Sequence, residues 1–149
     1  MTKLGAFAII FDATGQILLG HRRDMDLWNL PGGGLEPGEL PDAGVIREVL
    51  EETGLVVRAE KLLGIYSKAG KDELIFLFRC VIAGGELQKQ TPETDDNRFF
   101  PPDALPDRLI PRHRERIADA LTGAPQLIFR QQSGPDTQSF LQMLEATPK

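Results

Sequence analysis

Residues 33–55 read GGLEPGELPDAGVIREVLEETGL, and the fold is decided by how this stretch is read. Pro41 to Thr53 is predicted to be a helix. Pro41 falls in its first turn, where a missing N–H costs nothing, and Gly54 stands where glycine commonly ends a helix. At about 100° per residue, Val45, Ile46, Val49 and Leu50 share one broad arc, while Glu48, Glu51 and Glu52 share the opposite one. The apolar arc is expected to anchor the helix on a sheet and so hold the acidic arc rigidly. Carboxylates at i, i+3 and i+4 repel one another. A hard divalent cation such as Mg2+ or Mn2+ between them relieves that repulsion. The competing reading is a solvated acidic face with Arg47 as counter-charge. The preceding run Gly32-Gly33-Gly34, which lets a ligand approach the backbone closely, and Glu39 just before the helix favour the metal reading.

Outward from this unit, Leu4 to Phe11 and Gln16 to Arg22 flank the turn signal Asp12-Ala13-Thr14-Gly15 and predict a β-hairpin. Trp28 to Gly34 predicts one short strand running into the glycine loop. Leu55 to Ser67 and Leu74 to Ile82 predict two more strands, the second a buried one, with a turn at Gly84-Gly85. Gln88 to Asn97 is polar and reads as a loop, and Arg98 to Phe100 as a short strand stopped by Pro101-Pro102. Arg112 to Leu121 predicts a helix with Ile117, Ala118 and Leu121 inward and Arg112, Arg114 and Arg116 on a solvated face, where attraction of phosphate is the competing reading. Few helices against a mixed sheet make an α/β (α+β) sandwich. A single domain is expected over 1–130. Residues 131–149 are expected to be a tail, partly disordered or docking on a partner subunit through Phe140 and its apolar neighbours.

Bulk composition narrows the function. The chain has 149 residues, with 17 basic and 22 acidic side chains and a net charge of −5. That balance disfavours sequence-independent nucleic-acid binding, which needs a positive footprint, but not a small phosphorylated substrate beside a bound metal. Cys80 is the only cysteine, so no intrachain disulfide forms, and its apolar surroundings read as core. The N-terminal run does not read as a signal peptide. No apolar stretch approaches the roughly 20 residues of a membrane span, so a cytoplasmic location is expected.

The segment resembles the Nudix box, Gly-x5-Glu-x7-Arg-Glu-U-x-Glu-Glu-x-Gly-U, where U is a bulky aliphatic residue. Here it runs Gly33, Glu39, then Arg47-Glu48-Val49-Leu50-Glu51-Glu52-Thr53-Gly54-Leu55, with every defined position filled. WNLPGGG resembles the strand that leads into the box, and RFFPPDALP (Arg98–Pro106) a segment that follows the sheet. The resemblance implies an α/β/α sandwich with a central mixed sheet and hydrolysis of a nucleoside diphosphate linked to another group. By the same resemblance Glu48 and Glu52 are metal ligands, and Glu51 binds metal or acts as base. Arg47 orients a carboxylate of the unit, Glu39 is a further ligand, and the Gly33 carbonyl reaches a metal. Asp96 stands where the family often has a glutamate, with Asp95 and Glu93 as near alternatives. Phe99 stands where the family often has tryptophan.

The physical logic agrees. A diphosphate repels an incoming hydroxide. Divalent ions neutralise it and lower the pKa of bound water, and a carboxylate takes the proton. Substrate contacts are expected from Arg22 and Arg23, which suit phosphate but read equally as a polar strand end, and from Tyr66, Asp96 and Phe99, with a solvated acidic loop the equal reading for Asp96. For the aromatics, core packing is the competing reading. His21 and His113 read as bystanders. The expected substrates are nucleoside triphosphates, nucleotide sugars, ADP-ribose or dinucleoside polyphosphates. An RNA 5'-end pyrophosphohydrolase and a non-catalytic nucleotide sensor are the alternatives. By resemblance a homodimer is expected. The loops Lys68 to Glu73 and Lys89 to Asn97 are expected to carry selectivity.

Overall fold

The computed structural model describes residues 1–146. Its elements in order are β1 (Lys3–Ile10), β2 (Ile17–Arg22), β3 (Trp28–Asn29), β4 (Gly32–Gly34), α1 (Pro41–Thr53), β5 (Leu55–Lys68), β6 (Lys71–Gly85), β7 (Thr94–Phe100), α2 (Pro111–Leu121), β8 (Ile128–Gln132) and α3 (Thr137–Ala146). The long strands β1, β5 and β6 build a five-stranded mixed sheet, ordered β4-β1-β6-β5-β8. In it β1 runs parallel to β6 and β8 parallel to β5, while the β5–β6 and β1–β4 pairs are antiparallel. A second, antiparallel sheet is ordered β3-β2-β7.

Side chains alternate across a strand, and here the alternation separates two cores. Ala6, Ala8 and Ile10 of β1 join Phe78 and Cys80 of β6 against Val45 and Val49 of α1. Ile9 joins Ile75, Leu77 and Tyr66 against Ile117 of α2. One helix therefore covers each face of the large sheet, giving the α/β/α sandwich. Cys80 is buried, and burial pushes its thiol pKa up to about 12, so it packs as core.

Several local expectations give way to long-range pairing. The Asp12 turn forms, with the Asp12 carboxylate accepting from the Thr14 and Gln16 amides. The hairpin ends at one bridge, Phe11 with Ile17. Both edges of β1 are taken by β4 and β6, and β2 pairs instead with β3 and β7. Trp28 to Gly34 likewise splits between the two sheets, β3 in one and β4 in the other. Gly84 and Gly85 continue β6 and pair with Val56 and Leu55, with Gly85 at φ 76°. The second half of the expected 88–97 loop is strand, because Thr94 to Asn97 pair with β2.

Helix faces also shift. On α1 the buried set is Gly44, Val45, Glu48, Val49, Glu52 and Thr53, whereas Leu50 is exposed. On α2 the buried set is Arg112, His113, Arg116, Ile117 and Asp119. Ala118 and Leu121 face out, so Arg112 and Arg116 do not lie on a solvated face. The cause lies downstream. Strand β8 extends the sheet beyond β5 across residue 130, and its Gln132 docks on α2, accepting from Arg116 Nε and donating to the Arg112 carbonyl. The remaining tail forms α3 through Ala146, and residues 147–149 lie outside the described residues. No helix among the described residues is long and apolar enough to cross a membrane.

Candidate active site on the first helix

The glycine run fits α1 onto β4 by omission of side chains. Gly32 has φ 149°, and a Cβ there would lie 2.3 Å from the Ala6 carbonyl oxygen, so glycine alone fits. Its N–H donates to Glu52 Oε2 at 2.7 Å. A Cβ on Gly33 would meet the Glu48 carboxylate at 2.9 Å, and one on Gly44 would meet Leu35 at 2.2 Å. The bare backbone thus makes room for Glu48 and lets the helix approach the loop.

Arg47 ties this unit together. Its guanidinium donates from both Nε and one terminal nitrogen to the two oxygens of Glu39, each at 2.8 Å. The other terminal nitrogen reaches Glu48 Oε1 at 3.0 Å and Glu51 at 3.3 Å. A forked, always-charged donor is suited to holding several carboxylates in fixed orientation. The Arg47 bond holds the Glu39 pKa at about 2, so Glu39 stays an anion. Glu39 already has both oxygens engaged, one of them also by the Glu36 amide.

The third acid of the cluster comes from outside the box. Carboxylate oxygens of Glu48, Glu52 and Glu93 lie within 4.8 Å of one another. Glu93 is placed by polar residues to which the sequence motif gives no role. Thr91 Oγ1, Thr94 Oγ1 and Asn97 Nδ2 all donate to the Glu52 carbonyl, at 3.0, 3.1 and 2.9 Å. The free carbonyls of a helix end need such partners, and satisfying this one pins the 91–97 segment over the end of α1. The available signal is a polar run with threonine and asparagine where a strand begins.

Burial opposes ionisation of the two helix carboxylates in the cluster. Glu52 is 7% exposed and Glu48 9%. Burial pushes the Glu52 pKa up to about 9, with Glu48, Glu93 and Glu51 adding to the rise against the Gly32 hydrogen bond. Burial also raises that of Glu48, opposed by Arg47. Three clustered carboxylates, two of them buried, are the oxygen donor set a hard divalent ion suits.

The other expected site residues divide. Arg22 and Arg23 line a cavity of about 430 Å³ that also includes Phe7, Asn29, Glu52 and Glu93. Arg22 is held in a two-point ion pair with Asp24, and Arg23 Nε donates to the Thr91 carbonyl at 2.8 Å. Tyr66 is fully buried in the α2-side core, with its hydroxyl donating to Asp119 at 3.0 Å, so it presents no face to a base. Asp96 pairs with Arg98 on β7, outside that cluster and cavity lining. Alternation along the strand carries it away from the side that Asn97 presents. Phe99 packs against the α1-side core. Glu51 stays at the rim, half exposed, beside Arg47. Gly33 contributes space for Glu48. His21 bridges Asp26 and Asp95 at 2.8 and 2.6 Å, and buried His113 accepts from the Leu30 amide at 2.9 Å.

Comparison with known proteins agrees with this architecture. Residues 1–120 match the family described as the NUDIX domain. A putative 8-oxo-dGTP diphosphatase of Bacillus subtilis is 36% identical over 124 residues, 83% of each chain. An ADP-ribose pyrophosphatase of Methanocaldococcus jannaschii is 34% identical over 117 residues, covering 74% of this chain and 68% of that one. Among solved structures, an ADP-ribose pyrophosphatase from Streptococcus suis superposes with a TM-score of 0.71 at 28% identity, covering 89% of this chain and all of the other. A UDP-X diphosphatase does so at 0.73 and 27%, covering 86% and 67%. With the box complete, its helix seated on the sheet and most of the chain matched, the protein belongs to the NUDIX family and is a Nudix hydrolase.

Proposed function

We propose that this enzyme hydrolyses a phosphoanhydride bond in a small nucleoside diphosphate derivative, using Mg2+, with Mn2+ as a substitute, held by Glu48, Glu52 and Glu93. The observation that carries the reading is the convergence of these three carboxylates, two of them buried, beside a cavity with arginines on its rim. The bound ion supplies charge neutralisation of the diphosphate and acidification of water. Arg47 keeps the Glu48 carboxylate aimed into the cluster from 3.0 Å. Glu51, half exposed at 3.3 Å from Arg47, is the carboxylate we assign to take the proton of the attacking water at Oε2. Arg22 and Arg23 bind the phosphate that faces the cavity mouth.

Relatives named for 8-oxo-dGTP and for ADP-ribose define the panel to test. Release of phosphate, pyrophosphate or nucleoside monophosphate is measured for nucleoside triphosphates including 8-oxo-dGTP, for ADP-ribose, nucleotide sugars and dinucleoside polyphosphates, and for 5'-triphosphate RNA, with Mg2+ and then Mn2+. Turnover of at least one free nucleotide exceeding that of RNA supports the reading. Tight nucleotide binding without release overturns it in favour of a sensor. A cytoplasmic location and a homodimer are part of the same proposal, checked by cell fractionation and by light scattering.

A further inference from the structure

The face of the sheet opposite α1 holds a second like-charged cluster, of the other sign. A cavity of about 80 Å³ is lined by Lys68, Lys71, Arg112 and Arg116, with Asp136 as the only carboxylate in its wall among the described residues. Arg116 is fully buried and Arg112 is 7% exposed. Both terminal nitrogens of Arg116 and one of Arg112 have no hydrogen-bond partner among the described residues. The nearby acids are committed elsewhere. Glu73 pairs with Lys68 at 3.4 Å, and Asp136 lies 3.7 Å from Lys71 while accepting from the Ser139 amide. Glu115 accepts from Gln132, and Asp119 is held by Arg130 and Tyr66.

Two rings already stack on Arg116, Phe7 at 5.1 Å and Tyr66 at 5.8 Å. Cation–π contacts weigh less than the desolvation of a whole guanidinium. Burial accordingly lowers its pKa to about 10, and Arg112 pushes the same way. Buried unpaired donors call for a partner, and a dianionic oxyanion meets both the geometry and the charge. The arginines are fixed in advance: Arg116 Nε is anchored on Gln132 Oε1 at 3.0 Å and Arg112 Nε on the Gly134 carbonyl at 3.0 Å. Each guanidinium therefore keeps only its terminal nitrogens for a ligand, the arrangement that suits a tetrahedral oxyanion.

We propose that this cavity binds a phosphate group through the free terminal nitrogens of Arg112 and Arg116, with Lys68 and Lys71 at its mouth. The site is distinct from the carboxylate cluster. Phe7, whose ring lies 5.0 Å from His113 and 5.1 Å from the Arg116 guanidinium, also lines the larger cavity over Glu52, so the two sites are neighbours across this ring. The phosphate comes either from solution or as an additional phosphate carried by a nucleotide that fills the larger cavity. The space is too small for a nucleoside.

The test is calorimetric titration of inorganic phosphate into the full-length protein in metal-free buffer, beside thermal unfolding with and without phosphate. Saturable binding is expected, with a raised unfolding midpoint. Arg112→Gln and Arg116→Gln are each expected to weaken binding about tenfold or more, since a charge-assisted bond is lost, while Glu52→Gln leaves it intact. Arg112→Gln retains the reading if Arg116→Gln fails to fold. A nucleotide bearing an extra ribose phosphate that displaces inorganic phosphate, where the same nucleotide without it does not, assigns the site to substrate. Displacement by neither nucleotide assigns it to free phosphate. Absence of saturable heat, or loss of binding in Arg22→Gln with Arg112→Gln unaffected, overturns the proposal.

Discussion

The two faces of the large sheet carry mirror-image burdens. Over one, α1 brings Glu48 and Glu52 to Glu93, and over the other, α2 buries Arg112 and Arg116 beside Lys68. Each cluster buries two groups of one sign, Glu48 and Glu52 on one face and Arg112 and Arg116 on the other, and burying like charges is costly unless a ligand of the opposite sign is taken up. They differ in how they are held. Glu48 and Glu52 are organised within the single stretch 32–52, by Arg47 and by glycines that admit the carboxylates. The basic set depends on β8 and the start of the tail closing over α2, through Gln132 and the Gly134 carbonyl. The two helix carboxylates are held by neighbours in the chain and borrow only Glu93 from the 91–97 segment, whereas the basic set is only as firm as the strand that closes over it.

The sharpest way to break the acidic half is Glu52→Gln. The carboxamide oxygen of the variant can still accept from the Gly32 amide, so the fold is expected to persist by circular dichroism. Turnover with saturating Mg2+ is expected to fall by about 100-fold or more, the scale of removing one preorganised electrostatic group. Near wild-type turnover would remove Glu52 from the ligand set. Val49→Asp attacks the anchor instead. It places an unpaired charge in the α1-side core and is expected to cost on the order of 3 kcal/mol or more, measured from the denaturant midpoint.

Asn97→Ala probes the link to Glu93. Its amide donates to the Glu52 and Gln88 carbonyls and to Thr94 Oγ1. Its removal is expected to lower stability by about 1–3 kcal/mol and to raise the Mg2+ concentration needed for half-maximal rate. An unchanged metal requirement would detach Glu93 from the cluster.

Smaller effects separate the two faces by pH. The Glu52 pKa is raised in the folded state to about 9, so between its ordinary value of 4.5 and about 9 the native chain holds more protons than the unfolded chain. Metal-free stability is therefore expected to fall as pH rises through that window. Glu52→Gln should flatten the slope of unfolding midpoint against pH across that window, and Mg2+ should stabilise the wild type more at the alkaline end. His113 behaves oppositely. Burial, then the nearby Arg116, Lys68 and Arg22, drive its pKa well below 6.5, so stability is expected to fall as pH drops below 6.5. His113→Gln should reduce that acid-side loss, and phosphate should reduce it only if the basic cavity takes anions. Identical pH slopes in wild type and both variants would undo the contrast.

Legibility follows the range of the interactions. The bounds of α1 are readable to the residue because Pro41 and Gly54 act within one turn. The strands β5 and β6 are readable because branched and aromatic residues recur along them, Val56, Val57, Ile65 and Tyr66 in one and Ile75, Phe76, Phe78 and Val81 in the other, but their partners are not. The Asp12 turn forms as expected, yet β1 and β2 part into different sheets, since pairing with β6 and with β7 satisfies far more of each strand than a local hairpin. On α2 the composition points arginines outward. A helix this polar reads as solvated until the strand that covers it is known. Residue type and place in the chain point Tyr66 and Asp96 to substrate, and the strand alternation that sends one into the core and the other to Arg98 is a matter of register.

The sequence by itself determined the loop–helix unit, its clustered carboxylates, the glycines that let them sit against the backbone, and the family to which they belong. These rest on contacts between residues near in the chain, whose geometry the helical repeat and the glycine positions dictate. Only the tertiary structure decided that Glu93 rather than Asp96 completes the acidic set, that Thr91, Thr94 and Asn97 hold it there, and that Arg112 and Arg116 are buried. Each of those depends on which strand edge a distant segment occupies, and edge choice is settled by competition among all the strands at once.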